Sequence, residues 1–138
     1  MSLTAAQLNA LFPLPSPPPS TQAPGRLPGI THESSLELVK NLKENNRKWH
    51  IFFNDRGFHN HTSHHLLAMY QLGASGPLLD AAYKIHASYM RPAFASPEPV
   101  TTENFHLHLG DEKFYAAYLN FFSSELLEKG TATLENDF

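Results

Sequence analysis

Seven of the eleven prolines of this 138-residue chain lie within its first thirty residues, and this concentration limits what the chain can fold into. The densest run is residues 13–19, Pro-Leu-Pro-Ser-Pro-Pro-Pro. Because proline fixes φ and lacks a backbone N–H, neither a helix nor a strand ladder continues through such a run. The stretch before it, residues 8–12, is too short to hold a helix by itself. We therefore predict an extended, largely irregular arm over residues 1–30 with few core contacts.

Beyond the arm, apolar residues repeat at three- and four-residue steps, which is typical of helices that bury one face. Capping residues, prolines and glycines predict where these helices begin and end. The first helix begins at Ser34 or Ser35, and the second runs from near Thr62 to Gly73. The third helix runs from Pro77 to Pro92, and the last from Asp111 to Gly130. No internal repeat and no strand pattern stands out. The sequence predicts an all-α fold, with one helical domain over residues 31–138.

Composition and charge exclude several classes of function. The chain has no cysteine, which excludes disulfides, thiol catalysis and cysteine-ligated zinc. The formal net charge is −3, and the ten Lys and Arg residues are scattered, so a nucleic-acid partner is not supported. No segment approaches the roughly eighteen apolar residues of a membrane span. We expect a soluble, cytoplasmic protein that binds neither nucleic acid nor membranes.

Four of the nine histidines fall within residues 59–65. If a helix begins directly after His61, then His61, His64 and His65 stand at i, i+3 and i+4 and share one face. His59 would then point to nearly the opposite side, from the loop before the helix. Imidazole nitrogens that converge from one element suit a transition metal, so His61, His64 and His65 are candidate metal ligands. A hydrogen-bonded polar patch at a helix start is the alternative, because the glutamate of a zinc-protease motif is absent.

Other residues are weaker candidates for chemistry. His106 and His108, followed by Asp111 and Glu112, form a second candidate site, although caps and turn hydrogen bonds are the favoured interpretation. His86, on an apolar helix side, is either a core histidine or a third metal ligand. An aromatic series in the last helix predicts core packing, with a wall for a flat aromatic substrate as the alternative: Phe114, Tyr115, Tyr118, Phe121 and Phe122.

Four segments of the chain resemble the questin oxidase-like proteins: residues 57–74, 100–105, 108–110 and 115–130. The most specific part is Asn-His-x-x-His followed by Leu-Gly-Ala, in which His61 and His64 match the paired histidines of the family. The family comprises fungal and bacterial oxidoreductases, several of them in polyketide pathways where an anthraquinone ring is oxidatively opened. The resemblance implies a largely helical fold, a polycyclic phenolic substrate, a non-haem Fe(II) held mainly by histidine, and NADPH as a candidate electron donor.

Two main hypotheses about function follow. Members of the resembled family are considerably longer than this chain, so we expect a truncated product, a fragment or one piece of a split chain. The first hypothesis is an oxidoreductase, or its N-terminal portion, with a histidine-bound metal and a pocket lined by helical aromatics. The rival is a catalytically silent helical fragment that associates with itself or with another chain. A histidine-based pH sensor is a third option, because imidazole changes charge near neutral pH.

Overall fold

The computed structural model of the chain describes residues 3–16, 19, 24–25 and 27–130. Within these ranges the β pairing consists of isolated bridges, and the regular structure is helical. Two 3₁₀ turns, Phe105–Leu107 and Glu112–Phe114, precede the last helix. No described helix has the length and apolar character needed to cross a bilayer. The predicted all-α fold is confirmed. The described residues contain the helices α1 (Ala5–Leu11), α2 (His32–Lys48), α3 (Thr62–Gln71), α4 (Gly76–Ala87) and α5 (Tyr115–Lys129).

Contacts divide the chain into two compact units, and the predicted boundary between residues 30 and 31 does not separate them. The first, which we call the three-helix unit, comprises residues 12–92 and contains α2, α3 and α4. One face of each helix is apolar, so packing the three together removes those faces from water. Its buried core is formed by Ile30, Leu38, Leu42, Leu66, Tyr70, Leu79, Ala82 and Tyr83.

The start of α2 differs from the prediction by one turn. Thr31 is the N-cap, its side chain accepts from the Ser34 backbone N–H, and the Ser34 hydroxyl accepts from the Thr31 N–H. This reciprocal pair is a capping box, which satisfies two backbone donors at the helix start. Ser34 is therefore inside the helix, and it is buried together with Ser35. Ser34 thus occupies the third helical position, where a capping box usually has Glu or Gln.

The prediction that the arm makes few core contacts is wrong. Phe12 packs against the core of the three-helix unit, and Ile30 is one of its buried members. Gly29 lies against Gly73, the glycine that follows α3, so closely that a Cβ at position 29 would lie 1.5 Å from the Gly73 carbonyl oxygen. Gly73 itself has φ of +87°, a conformation that glycine adopts without strain. The two ends of residues 12–30 are therefore held against the helices.

The second unit, which we call the two-helix unit, comprises residues 1–11 and 93–138 and contains α1 and α5. Its buried cluster is Val100, Phe114 and Ala117, with Phe105, Tyr118 and Phe121 packed against it.

The prediction that residues 1–30 lack a helix is also wrong, since α1 lies within them. Thr4 and Gln7 cap it: the Gln7 side chain accepts from the Thr4 N–H, and the Thr4 hydroxyl accepts from the Gln7 N–H. A seven-residue helix is not stable alone, and here α1 packs against α5 with Leu8 buried. The prolines begin only at position 13, after this helix has ended.

Candidate functional site at the start of helix α3

The loop that leads into α3 folds back on itself. The Phe53 N–H donates to the Phe58 carbonyl at 2.9 Å, and the Asn60 N–H donates to the Ile51 carbonyl at 2.6 Å. Phe52 and His59 also form an antiparallel bridge. This return fixes the path of the backbone before the helix and carries His59 to the helix start.

Asn60 holds the start of α3 in place from a buried position in the three-helix unit. It is only 6% exposed, although it lies between two exposed histidines, His59 and His61. Its side-chain oxygen accepts from the Thr62 N–H at 2.9 Å, and its amide donates to the Asn45 side chain at 2.8 Å. Asn60 therefore caps the first backbone donor of α3 and links that helix start to α2.

The rings of His59, His61 and His64 form one exposed cluster. The ring centroids of His59 and His61 are 4.1 Å apart, those of His61 and His64 are 6.3 Å apart, and those of His59 and His64 are 6.2 Å apart. His59 lies in the loop before α3, as predicted. Its ring is next to that of His61 and not on the opposite side, because the loop folds back on itself.

His65 belongs to a different group from its two neighbours in sequence. Its Nδ1 lies 2.8 Å from Nε2 of His86 on α4, and Nδ1 of His86 lies 2.5 Å from the hydroxyl of Tyr89. Tyr89 is 48% exposed, and His65 is also exposed, whereas His86 is half-buried. The structure therefore connects α3 to the end of α4 through three side chains joined in a row.

The described residues do not show the iron site that the family resemblance implies. Within residues 3–130, apart from the gaps given above, no three His, Asp or Glu side chains are grouped so that they could hold a metal ion. His65, one of the three candidate ligands, directs a ring nitrogen to His86 instead. Metal binding by His61, His64 and His65 stays a prediction.

Burial lowers the pKa of His86 below its usual range, and the neighbouring His65 and His61 imidazoles lower it further. Both effects disfavour the charged ring, because burial removes water from it and a second positive charge nearby repels it. His86 is therefore neutral at pH 7. A neutral imidazole has one donor and one acceptor nitrogen, which matches the two hydrogen-bond partners of this ring.

A series of aromatic contacts leads away from His86 through Tyr89 and Phe53 to Phe58. The ring of Phe53 contacts the edge of Tyr89, with centroids 5.6 Å apart, and lies 6.2 Å from Phe58. Phe58 is 54% exposed. Exposed aromatic carbon beside polar side chains offers a flat molecule a surface to stack on. Sequence reasoning did not single out Phe53, Phe58 or Tyr89 as site residues, although Tyr89 follows His86 at the i+3 spacing that places two side chains together.

The residues of the second candidate site, around His108 and Asp111, make packing and capping contacts. His108 lies in the two-helix unit, where its ring stacks on Phe114 with centroids 3.8 Å apart and planes 2° apart. Its Nε2 lies 3.0 Å from a carboxylate oxygen of Glu98. Asp111 caps the second 3₁₀ turn by accepting from the Lys113 N–H. The aromatic series of α5 contributes to the core of this unit, in keeping with the core-packing interpretation.

Comparison with known proteins identifies the family and several relatives of this chain. The model of the family described as questin oxidase-like matches residues 58–138, which include His59, His65, His86 and Tyr89. The chain is 34% identical over 126 residues to the oxidoreductase AflY of Aspergillus parasiticus, with 80% of this chain and 25% of that protein covered.

Two further relatives are named for Baeyer–Villiger chemistry. The Baeyer–Villiger monooxygenase AacuH of Aspergillus aculeatus is 30% identical, with 75% of this chain and 23% of that protein covered. The Baeyer–Villiger oxidase ptaJ of Pestalotiopsis fici is 28% identical, with 77% of this chain and 25% of that protein covered. The chain thus spans about a quarter of the length of these relatives. Because the family match extends over more than half of the chain, this protein belongs to the questin oxidase-like family.

Proposed function

We propose that this chain supplies the substrate-binding and proton-accepting part of an oxidoreductase that oxygenates a polycyclic phenol. The observation that carries the proposal is the row of His65, His86 and Tyr89, which lies within the residues that match the family. The Tyr89 ring packs on Phe53, and Phe53 lies next to exposed Phe58. Relatives named as Baeyer–Villiger oxidases support oxygen insertion next to a ring carbonyl as the reaction.

The substrate class follows from the chemistry of this surface. A flat aromatic molecule would stack on the exposed ring of Phe58, and its phenol would meet the hydrogen-bonding groups that lie nearby. Histidine is the commonest general base in proteins, and general bases accelerate reactions by roughly 10²–10⁴-fold. Ionising the phenol raises the electron density of the ring, which favours its reaction with dioxygen.

The overall reaction balances with a two-electron donor. One oxygen atom of dioxygen enters between the carbonyl carbon and its neighbour, and the other becomes water. Forming that water requires two electrons and two protons, which we assign to NADPH as a hydride together with one proton from solvent. The described residues of this chain contribute binding and proton acceptance to this scheme.

The test uses the whole chain and a dihydroxyanthraquinone as the probe. At a pH where the free dye is un-ionised, we expect added protein to produce the red-shifted absorption of the phenolate. The variant His65→Gln should lose most of this band. His106→Gln, which removes an exposed histidine of the two-helix unit, is the matched control and should retain it. No binding of the dye, or an equal phenolate band in His65→Gln, would overturn the proposal.

A second candidate function is association with another copy of the chain. Several large apolar side chains of the three-helix unit are exposed, including Leu72 at 76% and Ile85 at 67%. Exposed apolar side chains that gather into a patch favour association over solvation. The molar mass in solution, measured by light scattering, tests this function independently of the dye.

A further inference from the structure

A cavity of about 500 Å³ lies in the three-helix unit, between the proline-rich segment and two of the helices. One wall is formed by residues 14–16, and Ile30 forms another. The remaining walls come from the start of α2, through Thr31, His32 and Ser35, and from Tyr70 near the end of α3. Cavities of this volume hold small organic molecules. Neither the histidines at the start of α3 nor His86 and Tyr89 line it.

The wall formed by residues 14–16 is tied to the core on both sides in sequence. Phe12 packs against the core of the three-helix unit before this wall, and Ile30 is buried in that core after it. Within the wall, Pro15 is half-buried. Leu14, Pro15 and Ile30 present aliphatic carbon to the cavity, so a ligand there meets largely apolar walls.

The hydroxyl groups of Ser35 and Tyr70 supply a buried polar floor. Ser35 Oγ lies 3.0 Å from the Thr31 carbonyl oxygen and 2.9 Å from the Tyr70 hydroxyl oxygen. A carbonyl oxygen accepts hydrogen bonds and cannot donate them, so Ser35 donates its single hydroxyl proton to Thr31. Tyr70 must then donate its own proton to Ser35. The hydrogen bonds at this floor are therefore ordered in one direction.

This order leaves the Tyr70 oxygen as an acceptor. Tyr70 is 2% exposed, and among the described residues its hydroxyl is paired with Ser35 alone. Since its proton is used on Ser35, the lone pairs of the oxygen are available to a donor. A buried acceptor without a donor costs free energy, and a ligand that brings an O–H group into the cavity removes that cost.

We propose that this cavity is a binding site for a small, uncharged, largely apolar molecule whose hydroxyl group donates to the Tyr70 oxygen. The described lining contains no Asp, Glu, Lys or Arg, so a charged ligand would lose its hydration without meeting an opposite charge there. An apolar molecule without a donor fits the walls but leaves the Tyr70 acceptor unsatisfied. The site does not depend on the proposed function, which uses other residues.

Two probes of similar shape test the donor requirement. 2-Naphthol carries a hydroxyl group and is un-ionised at pH 7, whereas 2-methoxynaphthalene has the same rings and no donor. Equilibrium dialysis against the whole chain gives both dissociation constants. We expect 2-naphthol to bind about tenfold more tightly, which is the contribution of one buried hydrogen bond. No binding of either probe, or equal binding of both, would overturn the site.

Tyr70→Phe removes the acceptor and should bring the two dissociation constants to within about twofold of each other. Tyr83→Phe is the matched control, because it removes another buried tyrosine hydroxyl of the same unit that does not line the cavity, and it should keep the preference. A preference in Tyr70→Phe equal to that of the unmodified chain would overturn the assignment of Tyr70.

Ser35→Ala tests the direction of the hydrogen bonds and provides a second variant if Tyr70→Phe does not fold. Without Ser35 as acceptor, the Tyr70 proton is free to donate to the ether oxygen of 2-methoxynaphthalene. The preference for 2-naphthol should therefore shrink severalfold. An unchanged preference in Ser35→Ala would contradict the proposed order of donors.

Amide chemical shifts from NMR locate the probe. Binding in the cavity should shift the amide signals of Thr31, His32 and Ser35. Shifts confined to residues 53–65 and 86–89 would place the probe at the surface used in the proposed function and would overturn the cavity site. Conversely, a dihydroxyanthraquinone that fails to ionise on the chain overturns the proposed function and leaves the two naphthalene probes to decide the cavity.

Discussion

At the scale of single residues, the candidate site depends on side chains held in place by a few specific contacts. His86 is kept neutral by partial burial and by neighbouring imidazoles, and Asn60 fixes the backbone between two exposed histidines. Burial and neighbouring charge set the pKa of His86, and the two hydrogen bonds of Asn60 fix the start of α3. Two predictions follow from these residues.

The first prediction concerns pH and His86. Its pKa in the folded chain is below 6.5, the value for a free side chain, so the unfolded chain binds more protons as the pH falls. Stability linked to this group is therefore complete above about pH 6.5 and is lost as the pH falls toward the folded pKa. We expect His86→Gln to unfold with a smaller difference in free energy between pH 7.5 and pH 5 than the unmodified chain. Urea denaturation at the two pH values measures this, and identical differences would contradict the assignment.

The second prediction concerns Asn60. Asn60→Ala removes the acceptor for the Thr62 N–H and the donor to Asn45, and it should reduce the free energy of unfolding by about 1–3 kcal/mol. Asn45→Ala keeps the cap on the Thr62 N–H and loses only the hydrogen bond between Asn45 and Asn60, so its loss should be smaller. Chemical denaturation of both variants gives the comparison. If Asn60→Ala is as stable as Asn45→Ala, capping by Asn60 does not stabilise α3.

At the scale of elements, residues 12–30 pack against the helices of the three-helix unit and contact the chain at the end of α3. Residues 12–30 contribute Phe12, Gly29 and Ile30 to contacts with the helices. In the other unit, α1 is too short to be stable alone and depends on its packing with α5. Each of these arrangements has a substitution that tests it.

The third prediction compares two glycines. Gly29→Ala should destabilise the chain by about 1–3 kcal/mol or more, because its Cβ would overlap the backbone oxygen of Gly73 and force the two segments apart. Gly25→Ala is the matched control, since a Cβ there has no atom within 4 Å, and its effect should stay within about 0.5 kcal/mol. Thermal and urea denaturation of both variants measure the difference. Equal stabilities would show that Gly29 does not pack against Gly73.

The fourth prediction concerns α1. Leu8 is 6% exposed, so Leu8→Ala should reduce the free energy of unfolding by about 2–4 kcal/mol through lost burial and the cavity it leaves. Leu14→Ala is the control, because Leu14 is 48% exposed and its truncation should have little effect. If both variants are as stable as the unmodified chain, α1 does not contribute to a core.

At the scale of the whole molecule, the chain spans about a quarter of the length of its named relatives and exposes many large apolar side chains. Leu107 and Leu109, both 65% exposed, add to those of the three-helix unit. The cytoplasmic location expected from the sequence stays a prediction.

The fifth prediction is that the chain by itself does not oxidise a dihydroxyanthraquinone. With NADPH present, and with or without added Fe(II), we expect no dioxygen consumption above the rate without protein. We also expect light scattering to report a mass above the 15.5 kDa of one chain, because exposed apolar side chains favour self-association. A monodisperse monomer that consumes dioxygen in step with NADPH would contradict both expectations.

The sequence by itself determined the all-α class, three of the helices to within a few residues and the family, because these depend on local patterns. Helical periodicity, proline and glycine positions and the motif around His61 and His64 are all properties of neighbouring residues. Asp111 as a cap was also recognisable, although the turn it caps is a 3₁₀ turn that leads into α5. The missed helix α1 had a local signal too, in the Thr4 and Gln7 capping box.

Only the tertiary structure decided which histidines meet. His65 and His86 are 21 residues apart, and they come together because α3 and α4 bury their apolar faces against each other. Residues 51–60 turn back and bring His59 to His61, which helical spacing could not predict. Spacing along a chain predicts which side chains share a face of one helix. Which of them meet a partner on another element depends on how the core packs, and in this chain packing separated His65 from His61 and His64.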